Sequence, residues 1–232
     1  MSVTEIVPNV SERHVSRAAS VPFDAAKHAD ALTEAFTLIG AAVRFDRNTE
    51  IFGEAEPAEY FYQVVSGAVR MYKLLSDGRR QIGAFHLPGD VFGLEAGQTH
   101  RFGAEAIATS VIRVARRSAI IALAARDHDL ANELWTRTAD RLQLAQDHML
   151  LLGRKNAEER VASFLLQMAD RAAAERTLDL PMSRQDIADY LGLTIETVSR
   201  TLTQLEGKAA IELPRSRRVR LCNRAALQRL NA

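Results

Sequence analysis

Two hydrophobic periods divide the chain. From Leu38 to Val114, apolar positions come in short runs broken by turn residues. The run "EYFYQVVSGAVRMYKLL" at 59–75 is rich in aromatic and β-branched residues, with Gly67 marking a bend. Ser76-Asp77-Gly78 supplies hairpin-turn chemistry before "RRQIGAFHL". Pro88-Gly89-Asp90 makes another turn, and "AIATSVIRVA" reads as another strand. Closely spaced strands of this kind predict a small antiparallel barrel or double-sheet roll. Residues 1–28 show no clear period and are expected to form a loose arm.

After Arg117 the period becomes helical. Between 130 and 152 apolar residues fall at Leu130, Leu134, Ala139, Leu142, Ala145, Met149 and Leu152, mostly three to four apart. A stripe of about six turns is longer than one small roll needs to cover itself. It predicts a two-fold dimer seam through Leu134, Leu142, Ala145, Met149 and Leu152. The alternative is a long helix lying across its own domain. Gly153 is the expected break before a second helix in "GRKNAEERVASFLLQMADRAAAER".

The stretch "SRQDIADYLGLTIETVSRTLTQLE" at 183–206 holds an apolar frame of its own. Ser183 is a good N-cap, and Asp186 stands where a capping-box acid belongs. Ile187, Ala188 and Leu191 make one inner face, and Val198, Leu202 and Leu205 make the other. Gly192 permits a sharp turn between them, Leu193 plugs the corner, and Thr194 caps the second helix. This is a helix-turn-helix, whose second helix is shaped to enter a major groove. The frame leaves Ile195, Glu196, Ser199 and Arg200 facing outward. Arg200 suits guanine O6/N7, Glu196 a cytosine amine, and Ile195 a thymine methyl. An i,i+4 pairing of Glu196 with Arg200 is the bland alternative. "AAIELPRSRRVRLCN" at 209–223 then reads as two short strands flanking a basic wing. Arg215, Arg217 and Arg218 in the wing, with Ser183, Gln185 and Thr197, are the expected phosphate contacts.

Charge supports this reading. The net charge is only +1, but residues 154–232 carry a balance of +4 and residues 200–232 one of +6. A basic end suggests a polyanion. No apolar run is long enough to span a bilayer. The opening "MSVTEIVPNVSERH" has no secretory pattern, and the single cysteine, Cys222, cannot form an internal disulfide, so a cytoplasmic protein is expected. Cys222, between Leu221 and Asn223 at a strand end, is expected to be a buried, inert thiol. Nothing in the chain resembles a nucleophile elbow, a P-loop or G-x-G-x-x-G, and His86 and His100 are too far apart for a His-x-His metal pair. No enzyme and no metal or other cofactor is expected.

These motifs, in this order, resemble the CRP/FNR family of bacterial transcription regulators over nearly all of 29–230. "IFGEAEPAEYFYQVVSGAVRMY" and "LPGDVFG" are similar to its roll, and "MSRQDIADYLGLTIETVSRTL" looks most like its FixK-type branch. The resemblance implies an α+β chain: an arm (1–28), a β-roll (29–117), a dimerisation helix region (118–153) and a winged helix-turn-helix domain (154–232). It also implies that Glu196, Ser199 and Arg200 read TTGA/TCAA half-sites in palindromic promoter DNA as a homodimer. Activators of the family touch RNA polymerase through exposed loops, here matched by 171–178 and 76–81. With one cysteine, the chain lacks the thiolates of the iron–sulfur members. Where cyclic-nucleotide members carry Gly-Glu and Arg-Ser, it has Gly93-Leu94-Glu95 and Arg101-Phe102. An activator of low-oxygen or nitrogen-fixation-type genes, needing no effector, is the expected function. A ligand-gated regulator or a repressor of the same family is the alternative.

Overall fold

The computed structural model describes residues 30–231. The expected arm lies outside these residues. Contacts group them into two compact units, residues 30–76 with 83–142, and residues 77–82 with 143–231.

The first unit holds the β-roll, except that residues 80–82, the start of its fifth strand, group with the second unit. Its strands are β1 (Ala41–Phe45), β2 (Glu50–Phe52), β3 (Tyr60–Ser66), β4 (Val69–Leu74), β5 (Arg80–His86), β6 (Val91–Phe92), β7 (Gly103–Ala106) and β8 (Ser110–Arg116). They form two four-stranded sheets, ordered β1-β8-β3-β6 and β2-β7-β4-β5. The alternation of β1 explains its place: Val43 and Phe45 are buried, Ala42 and Arg44 exposed. Phe52, Tyr62, Val64, Phe92 and Ile112 complete the core between the sheets. Gly67, at φ +88°, is the one residue that fits between β3 and β4, because an added Cβ would stand 2.2 Å from Ser110 Oγ. That hydroxyl accepts from the Ala68 amide at 3.0 Å and so locks the bend.

Three helices border the roll: α1 (Ala31–Ile39), α2 (Arg117–Ala124) and the 27-residue α3 (His128–Arg154). Leu32 and Phe36 of α1, Ile120 of α2 and Leu130 of α3 bury against Phe61 and Ala115. The strand-rich reading did not foresee α1, whose N-cap Asp30 accepts from the Thr33 amide at 2.7 Å.

The second unit contains the end of α3, then α4 (Ala157–Arg171), β9 (Thr177–Asp179), α5 (Arg184–Leu191), α6 (Ile195–Gly207), β10 (Ile211–Arg215), β11 (Arg218–Leu221) and α7 (Arg224–Asn231). Gly153 does not break α3, which continues to Arg154. Asn156 makes the break instead, through a capping box with Glu159 that starts α4. The Arg160 guanidinium donates to the carbonyls of Leu152, Lys155 and Leu191 at 2.8, 2.8 and 2.9 Å. One cation thus satisfies helix-end carbonyls that would otherwise lack partners. Buried Phe164 and Leu165 of α4, Ile187 and Leu191 of α5 and Val198, Leu202 and Leu205 of α6 make the core.

Candidate nucleic-acid interface

The helix-turn-helix forms as its caps dictate. Ser183 Oγ accepts from the Asp186 amide at 3.1 Å, and the Asp186 carboxylate accepts from the Ser183 amide at 2.9 Å. Gly192 ends α5 in the left-handed region, at φ +62°, where a Cβ would be strained. Thr194 Oγ1 accepts from the Thr197 amide at 3.2 Å and starts α6.

On α6 Val198, Leu202 and Leu205 are buried, and the opposite face carries Ile195, Glu196, Ser199 and Arg200. Spacings of three and four put these four side chains on one patch over the first two turns. Ile195 is 37% exposed with no core to enter. Among the described residues, neither Glu196 nor Arg200 makes a hydrogen bond or ion pair, so the i,i+4 pairing does not form. The Arg200 fork and the Glu196 carboxylate face outward with their hydrogen-bonding capacity intact.

The expected phosphate contacts divide. Ser183 Oγ donates its hydrogen to Asp186 at 2.7 Å, and Gln185 Nε2 donates to Asp189 at 2.6 Å. Thr197 Oγ1 shares a hydrogen with Thr194 Oγ1 at 3.1 Å. In the wing, β9 pairs with β11 and sets Asp179 opposite Arg218. Arg218 therefore binds both oxygens of Asp179, at 2.6 and 3.0 Å. Its guanidinium holds the Asp179 carboxyl below the usual range. Arg217 donates to the Pro181 carbonyl at 3.2 Å. Of the three wing arginines expected at phosphate, Arg215 alone has a side chain with no hydrogen bond or salt bridge among the described residues. Cys222 is a correction: it is exposed, not buried. Side chains alternate at a strand end, so Leu221 turns inward and Cys222 outward.

Along α3 the expected seam also divides. Leu134 packs against the core of the first unit, and Leu152 lies beside the Gly192 turn. Leu142, Met149 and Ala145 remain exposed. Trp135, off the stripe read in the sequence, is 72% exposed. Trp135, Leu142 and Met149 are seven residues apart, a heptad spacing.

The comparisons with known proteins agree with this geometry. A family model described as "Crp-like helix-turn-helix domain" matches residues 159–230. The nitrogen fixation regulation protein FixK of Azorhizobium caulinodans is 54% identical, over 84% of this chain and 80% of its own. The chain belongs to the CRP/FNR family, in its FixK branch. It is therefore a DNA-binding transcription regulator and not an enzyme. FixK of Bradyrhizobium diazoefficiens is 47% identical over 77% of each chain. The solved structure of FixK2 from Bradyrhizobium japonicum superposes with a TM-score of 0.81 at 56% identity, covering 84% of this CRP/FNR chain and 98% of that one.

A second family model, "Cyclic nucleotide-binding domain", matches residues 42–127. Aromatic rings fill the interior of this roll. Phe52 stacks on His100 with ring centroids 3.6 Å apart, and Tyr62 stacks on Phe92 at 5.1 Å. All four rings are buried. His100 Nδ1 lies 3.2 Å from Glu95 Oε1, and a Cβ on Gly93 would meet Tyr62 at 2.8 Å. Arg101 is exposed rather than aimed into this stack. No helix is long and apolar enough to cross a membrane among the described residues.

Proposed function

We propose that this chain activates transcription as a homodimer on TTGA–TCAA palindromes, in the cytoplasm and without an effector. The observation that carries the reading is the outward face of Ile195, Glu196, Ser199 and Arg200, whose charged members have no partner among the described residues. Those groups match guanine, cytosine and thymine edges in the major groove. The exposed heptad of Trp135, Leu142 and Met149 supports a seam with a second copy. The aromatic stack around His100 supports independence from cyclic nucleotides. Relatives named for nitrogen fixation support genes of the low-oxygen or nitrogen-fixation type. Ser183, Gln185, Thr197, Arg215, Arg217 and Arg218 stand at the ends of the recognition unit and in the wing, and Arg215 is the foremost phosphate contact. The loops at 171–178 and 76–81 would meet RNA polymerase.

Selection of bound sites from a random DNA pool, with protein given no nucleotide, metal or reductant, tests this. Recovery of a TTGA–TCAA palindrome at nanomolar protein supports it. Recovery of sites only after cyclic nucleotide is added would favour the ligand-gated alternative.

A further inference from the structure

The carboxylates of α5 pose a problem for any DNA-binding reading. In a helix-turn-helix the first helix crosses the phosphate backbone. Yet α5, "RQDIADYL", holds two aspartates and one arginine. Asp186 is needed for the capping box, and Asp189 lies in the last turn, where the helix dipole disfavours an anion.

One side chain of the same compact unit answers both. Arg80, in the 77–82 segment, donates from Nε to Asp189 Oδ2 at 2.7 Å and from the guanidinium NH₂ to Asp186 Oδ1 at 2.9 Å. The fork spans two carboxylates on successive turns, which a lysine's single point charge cannot do. Asp186 is 5% exposed, Asp189 12% and Arg80 22%, so solvent screens this cluster little. The next residue, Gln81, reaches the Tyr190 carbonyl at 3.4 Å from the same side.

We infer that Arg80 is a positioning residue for DNA binding, the counter-charge that makes α5 acceptable beside the phosphates. With it the formal charge of the helix and its clamp is zero; without it the helix carries −1. The inference rests on the DNA-binding reading. Within the 76–81 loop it sets Arg80 toward α5, while residues 76–79 stay exposed.

The test uses the full-length protein and fluorescence anisotropy on a labelled TTGA–TCAA duplex across a salt series, without polymerase. Arg80→Gln should bind about five- to tenfold more weakly at about 50 mM salt, and the gap should narrow as salt rises. Asp189→Asn alone should bind as well as the parent or better, and Arg80→Gln with Asp189→Asn should recover most of the loss. A clamp that merely holds α5 in place predicts the reverse, since each substitution removes an ion-pair partner. Thermal melts confirm that each variant folds. The inference is overturned if Arg80→Gln binds like the parent, or if Asp189→Asn weakens binding and rescues nothing. A parent protein that ignores the duplex would instead sink the DNA reading beneath it.

Discussion

Arg200 and Arg215 carry the same charge but are proposed for different tasks. Arg200 sits on the outward face of α6 with its fork unpaired among the described residues, suited to two guanine acceptors at once. Arg200→Ala should cost on the order of 1–3 kcal/mol per half-site and relax preference at that guanine. Lysine at 200 should rescue only in part, because it lacks the planar fork. Arg215→Ala should weaken all sequences alike and flatten the salt dependence. Binding-site profiles at one fixed salt concentration separate the two, and identical profiles would mean that α6 does not read bases. Arg217, which the sequence marks equally, is a poorer choice, because the Pro181 carbonyl already takes one of its hydrogens. A second prediction at this scale concerns backbone. Ala173 and Ala209 sit at φ +47° and +52°, in the left-handed region. That conformation costs an L residue roughly 1–2 kcal/mol, partly offset by the lower unfolded-state entropy of alanine. Ala209→Gly should therefore raise the melting temperature by a few degrees, measured by circular dichroism, and a drop would refute the strain.

At the scale of elements, α3 shows what periodicity can and cannot tell. The stripe from Leu130 to Leu152 was legible, and so was its excess over what one roll can cover. Which face served which partner was not legible, because a long helix shared between several surfaces carries more than one apolar face. Leu134 turned to the roll core and Leu152 to the Gly192 turn, while Trp135 joined Leu142 and Met149 on the open side. The helix-turn-helix was legible in detail because caps and a left-handed glycine act locally: Ser183, Gly192 and Thr194 each have one geometric role. The Arg218–Asp179 pair was hidden, because it depends on β9 pairing with β11 across 39 residues. His148 adds a prediction for the same helix. Its ring stacks on Tyr190 of α5 at 4.0 Å, with both nitrogens unbonded among the described residues. Burial, and then the charge of Arg160, push its pKa down from 6.5 to about 4. Between those two values the unfolded chain binds a proton that the folded one refuses. Stability should thus fall as pH drops from about 6.5 towards 4. Carboxylates held below their usual values lose their contribution further down the pH scale. Urea unfolding of His148→Phe should show a flatter profile in the upper window; an unchanged slope would place the imidazole in contact with water.

The proposed function of the whole molecule depends on joining two reading heads. On that proposal a single α6 face offers four residues to the bases, enough for one short half-site and too little for a genome. A palindrome read by two copies makes the second contact intramolecular, and affinity then rises by orders of magnitude without any new contact. The linkage must hold the two helices about one DNA turn apart, which calls for a rigid seam rather than a tether. Trp135, Leu142 and Met149, 72%, 61% and 65% exposed on α3, are the residues proposed to make it. Leu142→Glu puts a charge at the middle of that heptad, where the desolvation cost falls on both copies. The roll core draws on Leu130 and Leu134 instead, so each unit should keep its fold. Sedimentation should therefore find a folded monomer. Its affinity for the full palindrome should fall to that for a single half-site, while the base preference at the guanine read by Arg200 should persist. A dimer that survives this substitution would move the seam to another face of α3. A monomer that still prefers the palindrome would mean that the half-sites are bound independently.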